Sequence, residues 1–136
     1  MIKILICCGG GFSSSAMATK VKKEIKEKHL ENEVMIDFQP FSISYEIMDQ
    51  YDLIMACPHL KYSVPKFLER YGHDCIPIYL LPPKMYGSMH IEDVIEDAKD
   101  IVEGFKQTKM NPFHFPGEDS VMHIKRIHSY RKEHQL

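Results

Sequence analysis

The stretch Ile2-Lys3-Ile4-Leu5-Ile6-Cys7-Cys8-Gly9-Gly10-Gly11-Phe12-Ser13-Ser14-Ser15 decides the fold. An apolar run ends in a thiol, three glycines follow, and a serine cluster opens a pattern in which Met17, Val21 and Ile25 recur at helical spacing. Ser13 or Ser14 suits a helix cap, and the helix is expected to run to about residue 29. A strand, a tight loop and a helix start in this order build an anion site around a nucleophile. Glycines let backbone N–H groups turn inward, and the first helical turn adds unpaired N–H groups and the positive end of the dipole. Both favour thiolate over thiol at Cys8 and would hold the oxygens of a phosphoryl group carried on its sulfur. A cysteine at a strand end also serves as plain packing, and glycine loops open many nucleotide-binding helices. The crowding of thiol, glycines and serines at one junction weights the functional reading. Cys7 continues the apolar run and, by strand alternation, points to the other face, so it reads as core.

Outward from this stretch, strand-like and helix-like segments alternate. Residues 33–38 form a second strand pattern, Pro40 interrupts, and Ile43, Ile47 and Met48 suit a short helix. Residues 52–57 make a third strand closed by Pro58, and residues 62–71 a helix with Val64, Phe67 and Leu68 inward. Residues 76–80 give a fourth strand, placed at an edge because Pro77 cannot donate to a ladder. A helix over 91–105 presents Ile91, Val94, Ile95, Ala98, Ile101 and Val102 on one face, with Asp93 and Asp97 on its polar side as solvated charge. The alternation predicts an α/β three-layer sandwich on a parallel sheet, whose ligands bind at the carboxyl ends of the strands. Cys8 ends strand one and Cys57-Pro58-His59 ends strand three, so neighbouring strands would bring Pro58 and His59 to the same crevice.

Composition narrows the class. A chain of 136 residues forms one core, and a net charge of −2 with interspersed signs offers no field for nucleic acid. The opening has no basic segment and its apolar run stops after Cys8, so no signal peptide is expected. No segment reaches the length of a membrane span. The four cysteines, Cys7, Cys8, Cys57 and Cys75, show no zinc spacing, and reduced thiols in the cytoplasm fit better than a disulfide framework. His123 and His128 are five apart, so no helical pair suggests a metal, and the loop lacks the Lys-Ser/Thr pair of a Walker motif. Tyr62 and Tyr86 read as packing residues bordering the loop.

The chain divides at about residue 106. In residues 107–136, Asn111-Pro112-Phe113-His114-Phe115-Pro116-Gly117 breaks the helix, and residues 120–133 can form a basic helix. A solvated or loosely docked tail is the default expectation, with contact to a partner or a second copy as the alternative.

The opening stretch resembles the enzyme IIB component of the lactose/cellobiose (chitobiose) family of the bacterial sugar phosphotransferase system. Members open with a strand, the phosphorylated cysteine, a small-residue loop with glycine at the third place after it, and a serine/threonine run. Cys8, Gly11 and Ser13-Ser14-Ser15 fit these places. Residues 52–58 are similar to the family's third strand and proline loop, Tyr62 to a helix start, and Tyr86-Gly87 to a tyrosine-glycine before the last helix. The resemblance spans about residues 1–106. It implies a four-stranded parallel sheet in the order 2-1-3-4, like that of low-molecular-weight tyrosine phosphatases. It further implies a cytoplasmic phosphoryl carrier, peripherally associated with its membrane transporter and needing no cofactor. Cys8 would take a phosphoryl group from enzyme IIA and pass it to a sugar on the membrane component, enzyme IIC. Gly9, Gly10, Gly11, Phe12, Ser13, Ser14 and Ser15 would hold the phosphoryl oxygens. A regulatory module on the same fold and a thiol phosphatase are the alternatives. A phosphatase, however, closes its cysteine loop with an arginine, and serines stand in that place here.

Overall fold

The computed structural model describes residues 1–8, 12–88 and 90–134, with the backbone alone for residues 8 and 12–17. Strands β1 (Ile2–Cys8), β2 (Val34–Pro40), β3 (Leu53–Ala56) and β4 (Ile78–Leu80) form one parallel sheet in the order β2-β1-β3-β4. The central place of β1 follows from its sequence. An unbroken run of Ile4, Leu5, Ile6 and Cys7 has no polar face to show to water, and all four side chains are buried. Asp52 fixes the register at the start of β3: its carboxylate accepts from the Lys3 N–H at 2.7 Å and its own N–H donates to the Lys3 carbonyl at 2.8 Å.

The two faces of the sheet hold separate cores. Ile4, Ile6, Leu53 and Met55 pack against helix α1 (Phe12–Glu27) and helix α5 (Ile91–Thr108). Leu5, Cys7, Ile54 and Ala56 pack against helix α3 (Ser63–Tyr71) and the segment before β3. Cys7 is fully buried, as its place in the apolar run predicts. The segment after β2 is a series of short turns, 3₁₀ at Phe41–Ile43 and Met48–Gln50 around helix α2 (Ser44–Ile47), where the sequence suggested a single short helix. Helix α1 starts at Phe12, so Ser13 and Ser14 fall inside its first turn and neither is the residue that precedes it. It ends at Glu27, and His29, at φ 56°, turns the chain back so that the Leu30 N–H reaches the Ile25 carbonyl at 2.9 Å.

The segment after α5 departs most from expectation. Residues 120–133 contain a 3₁₀ turn at Val121–His123 and one short helix, α6 (Tyr130–Glu133), in place of a continuous basic helix. This tail is docked. Phe113, Phe115 and Tyr130 join the core on the α5 side, with the Phe115 and Tyr130 rings stacked at 4.5 Å. Phe113 bridges to Tyr79 along β4, and the Asn111 side chain accepts from the Ile78 N–H and donates to the Ile76 carbonyl. The exposed edge of β4 is thereby covered.

Asp93 and Asp97, expected to be solvated, are the reason. They are 3% and 0% exposed, and both receive the tail. Asp97 accepts from Arg126 at 2.8 Å and from the Tyr130 N–H at 2.8 Å; Asp93 accepts from the Ser129 N–H at 3.0 Å and from Lys132 at 3.0 Å. Arg126 also donates to both Glu118 oxygens and to the Tyr79 hydroxyl. Delivering one guanidinium to three elements takes an extended chain, which overrides the helical pattern of residues 120–129.

Candidate functional site

Three chain segments converge at the carboxyl end of the sheet. The first is the junction between β1 and α1. Cys8 is the last residue of β1 and pairs in register with Pro40 of β2. Gly9, Gly10 and Gly11 lie outside the described residues, and α1 runs from Phe12 for 16 residues. The backbone of Phe12, Ser13, Ser14 and Ser15 is the first turn of that helix, whose N–H groups have no partner within it.

The second segment follows β3. The Cys57 N–H donates to the Cys7 carbonyl at 3.0 Å, which carries the β1–β3 ladder past Ala56. Pro58–Leu60 then forms a 3₁₀ turn held by a Leu60 N–H bond to the Cys57 carbonyl at 3.0 Å. Pro58 is buried and supplies a preset φ at the start of that turn, while His59 is exposed. The third segment is helix α4 (Pro83–Ser88), which follows β4. Lys20 of α1 donates to the Ser88 carbonyl at 2.6 Å and ties the first and third segments together.

Between the second and third segments lies an open, mainly apolar groove of about 340 Å³. Pro58, His59 and Lys61 line one side, Pro83 and Tyr86 the other, with Tyr62 and Met122 at its margins. Adjacent β1 and β3 strands put Pro58 and His59, which follow β3, at the same end of the sheet as Cys8. Tyr62 differs from expectation: it is 73% exposed and borders the groove with no core to pack into. Lys61, Pro83 and Met122 were not legible as groove-lining residues. Lys61 and Pro83 sit in ordinary turn sequence, and Met122 is 114 positions beyond Cys8 with no local motif to connect them.

Charge around Asp93 and Asp97 divides two carboxylates one helical turn apart. Burial lifts Asp97 to about 6, against the pull of Arg126 and the Tyr130 N–H. Burial acts the same way on Asp93, but the Ser129 N–H, Lys132 and His128 outweigh it and hold that carboxyl below its ordinary value. Burial also opposes the charge of Arg126, and Glu118, Tyr79 and Asp97 together keep it firmly protonated. Among the described residues, no group of three or more His, Cys, Asp or Glu side chains is arranged to hold a metal ion, and no helix is long and apolar enough to cross a membrane.

A four-stranded parallel sheet of order 2-1-3-4, with a cysteine closing a central strand and three glycines next in the sequence, defines an α/β fold of the phosphotransferase IIB type. The family model for the lactose/cellobiose-specific IIB subunit of the phosphotransferase system matches residues 3–97, and the chain belongs to that family. Among solved structures, it is similar to the lactose-specific IIB component domain of the phosphoenolpyruvate:carbohydrate phosphotransferase system from Streptococcus pneumoniae. The TM-score is 0.50 at 19% identity, covering 78% of this chain and 95% of that one, a likeness of fold. No curated protein matches the sequence. The family places the chain in a sugar phosphotransferase system, with a general phosphotransferase role.

Proposed function

We propose that the chain is a cytoplasmic phosphoryl carrier that accepts a phosphoryl group on Cys8 from the phosphohistidine of an enzyme IIA and passes it to a sugar bound by the membrane component, enzyme IIC. One observation carries the reading: Cys8 closes a central strand, and a 16-residue helix begins at Phe12 after only Gly9, Gly10 and Gly11. A helix start so close to the sulfur's backbone favours the thiolate and a dianionic phosphoryl group through its N–H groups and dipole. Residues 1–106 form the carrier unit in this reading, and residues 107–136 an extension.

The transfer is an exchange of one bond for another. The Cys8 thiolate attacks phosphorus in line, the S–P bond forms as the N–P bond to the donor imidazole breaks, and the imidazole leaves and is reprotonated by solvent. In the second step a sugar hydroxyl oxygen attacks phosphorus, its proton passes to solvent or to a base on the acceptor component, and the S–P bond breaks to return the thiolate. The backbone N–H groups of residues 9–15 would hold the equatorial oxygens, and the serine hydroxyls of Ser13, Ser14 and Ser15 would add to them. In the first step the thiolate is the nucleophile as it stands, so no side-chain base of this chain is required there, and the reading calls for no metal or cofactor.

Persistence of the phosphocysteine suits a carrier, and the arginines support that. The chain has three. Arg70 lies over the Tyr71 ring, Arg126 is fixed among Asp97, Glu118 and Tyr79, and Arg131 pairs with Asp100. None belongs to the cysteine loop, where a phosphatase needs one to clamp and activate phosphate.

The test is intact-protein mass spectrometry after incubation with phosphoenolpyruvate, the general phosphotransferase proteins and an enzyme IIA. One phosphoryl group on the wild type, localised to Cys8 and absent from Cys8→Ser, is expected. No adduct with any competent donor would overturn the reading.

A further inference from the structure

We infer that the C-terminal segment builds part of the docking site for the phosphoryl donor, with Met122 forming a wall of the groove beside the Cys8 strand and so helping to select which donor protein binds. The inference rests on the carrier reading above. Its distinguishing residue, Met122, lies beyond the family match, 3–97.

Four observations carry it. Met122 lines the groove together with Pro58 and His59, which follow Cys57, the residue bonded to Cys7. A protein seated in the groove is therefore within a few residues of the Cys8 position. Tyr62 and Met122 are 73% and 52% exposed, two large apolar side chains left uncovered at the margins of one cavity. The groove is also one-sided in charge: Lys61 lines it and no carboxylate does. That suits a donor which brings a dianionic phosphohistidine and presents an apolar side chain among acidic ones. It does not specially suit an acceptor whose reacting group is a neutral sugar hydroxyl.

The fourth observation is the anchoring of the wall. The turn Val121–His123 lies between Glu118 and Arg126, which are bonded to each other at 2.7 and 2.9 Å. Arg126 is in turn held by Asp97 and the Tyr79 hydroxyl at 2.8 and 2.7 Å, buried under the tail. Met122 is thus presented from a closed loop, and little ordering entropy is lost when a partner covers it. The buried cluster is a positioning device for a residue at the surface.

The experiment measures phosphoryl transfer to the full chain from histidine-phosphorylated enzyme IIA proteins of lactose/cellobiose type, taking the one that charges the wild type fastest. Rates are followed against donor concentration for wild type, Met122→Glu, Met122→Ala, Lys61→Glu and Ile127→Glu. Ile127 is an exposed tail residue that does not line the groove, and it controls for a general effect of charge on the tail. Thermal unfolding of each variant confirms that it folds. The expected result is a rise in KM of about tenfold for Met122→Glu and Lys61→Glu, a smaller rise for Met122→Ala, and kcat within about twofold throughout. Ile127→Glu should match the wild type.

Transfer that is normal in the wild type and equally normal in the Met122 and Lys61 variants would overturn the inference and leave the carrier reading standing. A defect confined to delivery onto sugar at enzyme IIC would overturn the assignment to the donor. No transfer to wild-type Cys8 from any donor would remove the carrier reading, and the inference with it.

Discussion

The Cys57 N–H donates to the Cys7 carbonyl at 3.0 Å, and that bond joins the end of β3 to the residue before the proposed phosphoryl acceptor. Cys7 and Cys57 lie in the core on the α3 side of the sheet, 0% and 2% exposed. Cys8 stands at the strand end. In the proposed reading the two adjacent thiols have separate parts. Cys7→Ala should keep phosphoryl transfer and cost about 1 kcal/mol through a small cavity, whereas Cys8→Ser should abolish transfer at little cost in stability. Urea unfolding and phosphoryl-adduct mass spectrometry on both variants check this. Loss of the adduct in Cys7→Ala, with the fold intact, would assign the chemistry to the wrong thiol.

The buried cluster gives a second prediction. Arg126→Met removes the partner of Asp97 and Glu118 and leaves the fully buried Asp97 without its cation, so it should cost about 3–5 kcal/mol. Arg126→Met combined with Asp97→Asn should recover part of that loss, because the uncompensated charge is then gone. A double-mutant cycle by urea unfolding measures the coupling. Strict additivity of the two changes would show that the pair does not interact as its geometry demands.

Asp93 and Asp97 predict opposite pH dependences. The folded chain holds Asp97 at about 6 against an ordinary 3.8, so it takes up a proton in that window and the contribution of Asp97 to stability falls as pH rises through it. Asp93 is held below its ordinary 3.8, so its contribution is present above that value and is lost as pH falls through the lowered one. Unfolding free energies from pH 3 to 7 for wild type, Asp97→Asn and Asp93→Asn resolve the two. The advantage of wild type over Asp97→Asn should shrink between pH 4 and 6, and its advantage over Asp93→Asn should grow as pH rises from 3 and level off above 4. An Asp97 curve parallel to wild type throughout would contradict the first assignment.

Gly104 permits the tail to dock. A Cβ placed there would lie 2.6 Å from the Phe113 ring, closer than the ring can remain. Gly104→Ala removes a weak helix former from α5, which would stabilise an isolated helix by about 1 kcal/mol. Here it should instead destabilise, by about 1–2 kcal/mol, because Phe113 must move away from its place beside Tyr79. Thermal unfolding together with hydrogen exchange at the Phe113 N–H, which donates to the Ile78 carbonyl, reads both effects. A stabilised variant would mean that the tail tolerates displacement from β4.

Hydrolysis separates carrier from phosphatase. With Ser13, Ser14 and Ser15 in place of a loop arginine, wild type should release phosphate from an aryl phosphate no faster than Cys8→Ser does. Cys8-dependent turnover at rates typical of an enzyme, about 1 per second or more, would favour the thiol-phosphatase alternative.

By itself, the sequence determined the sheet, its helices and the junction at Cys8, because those signals are local. Residues 4–8 are apolar without interruption, glycines and serines follow at once, and the later strands and helices carry their periods within single segments. The position of Pro58 and His59 after β3, at the same end of the sheet as Cys8, was legible for the same reason, since strand ends in a parallel sheet share one edge. The tertiary structure alone decided the tail. Residues 120–133 carry a helical pattern, and Asp93 and Asp97 occupy what the pattern makes a polar face. Bringing the tail onto that face buries the two carboxylates, the Arg126 guanidinium and the Ser129 and Tyr130 N–H groups in one cluster. Each of these groups alone favours water. Only together do they satisfy one another, and a pairing across about thirty residues has no trace in the local sequence of either partner.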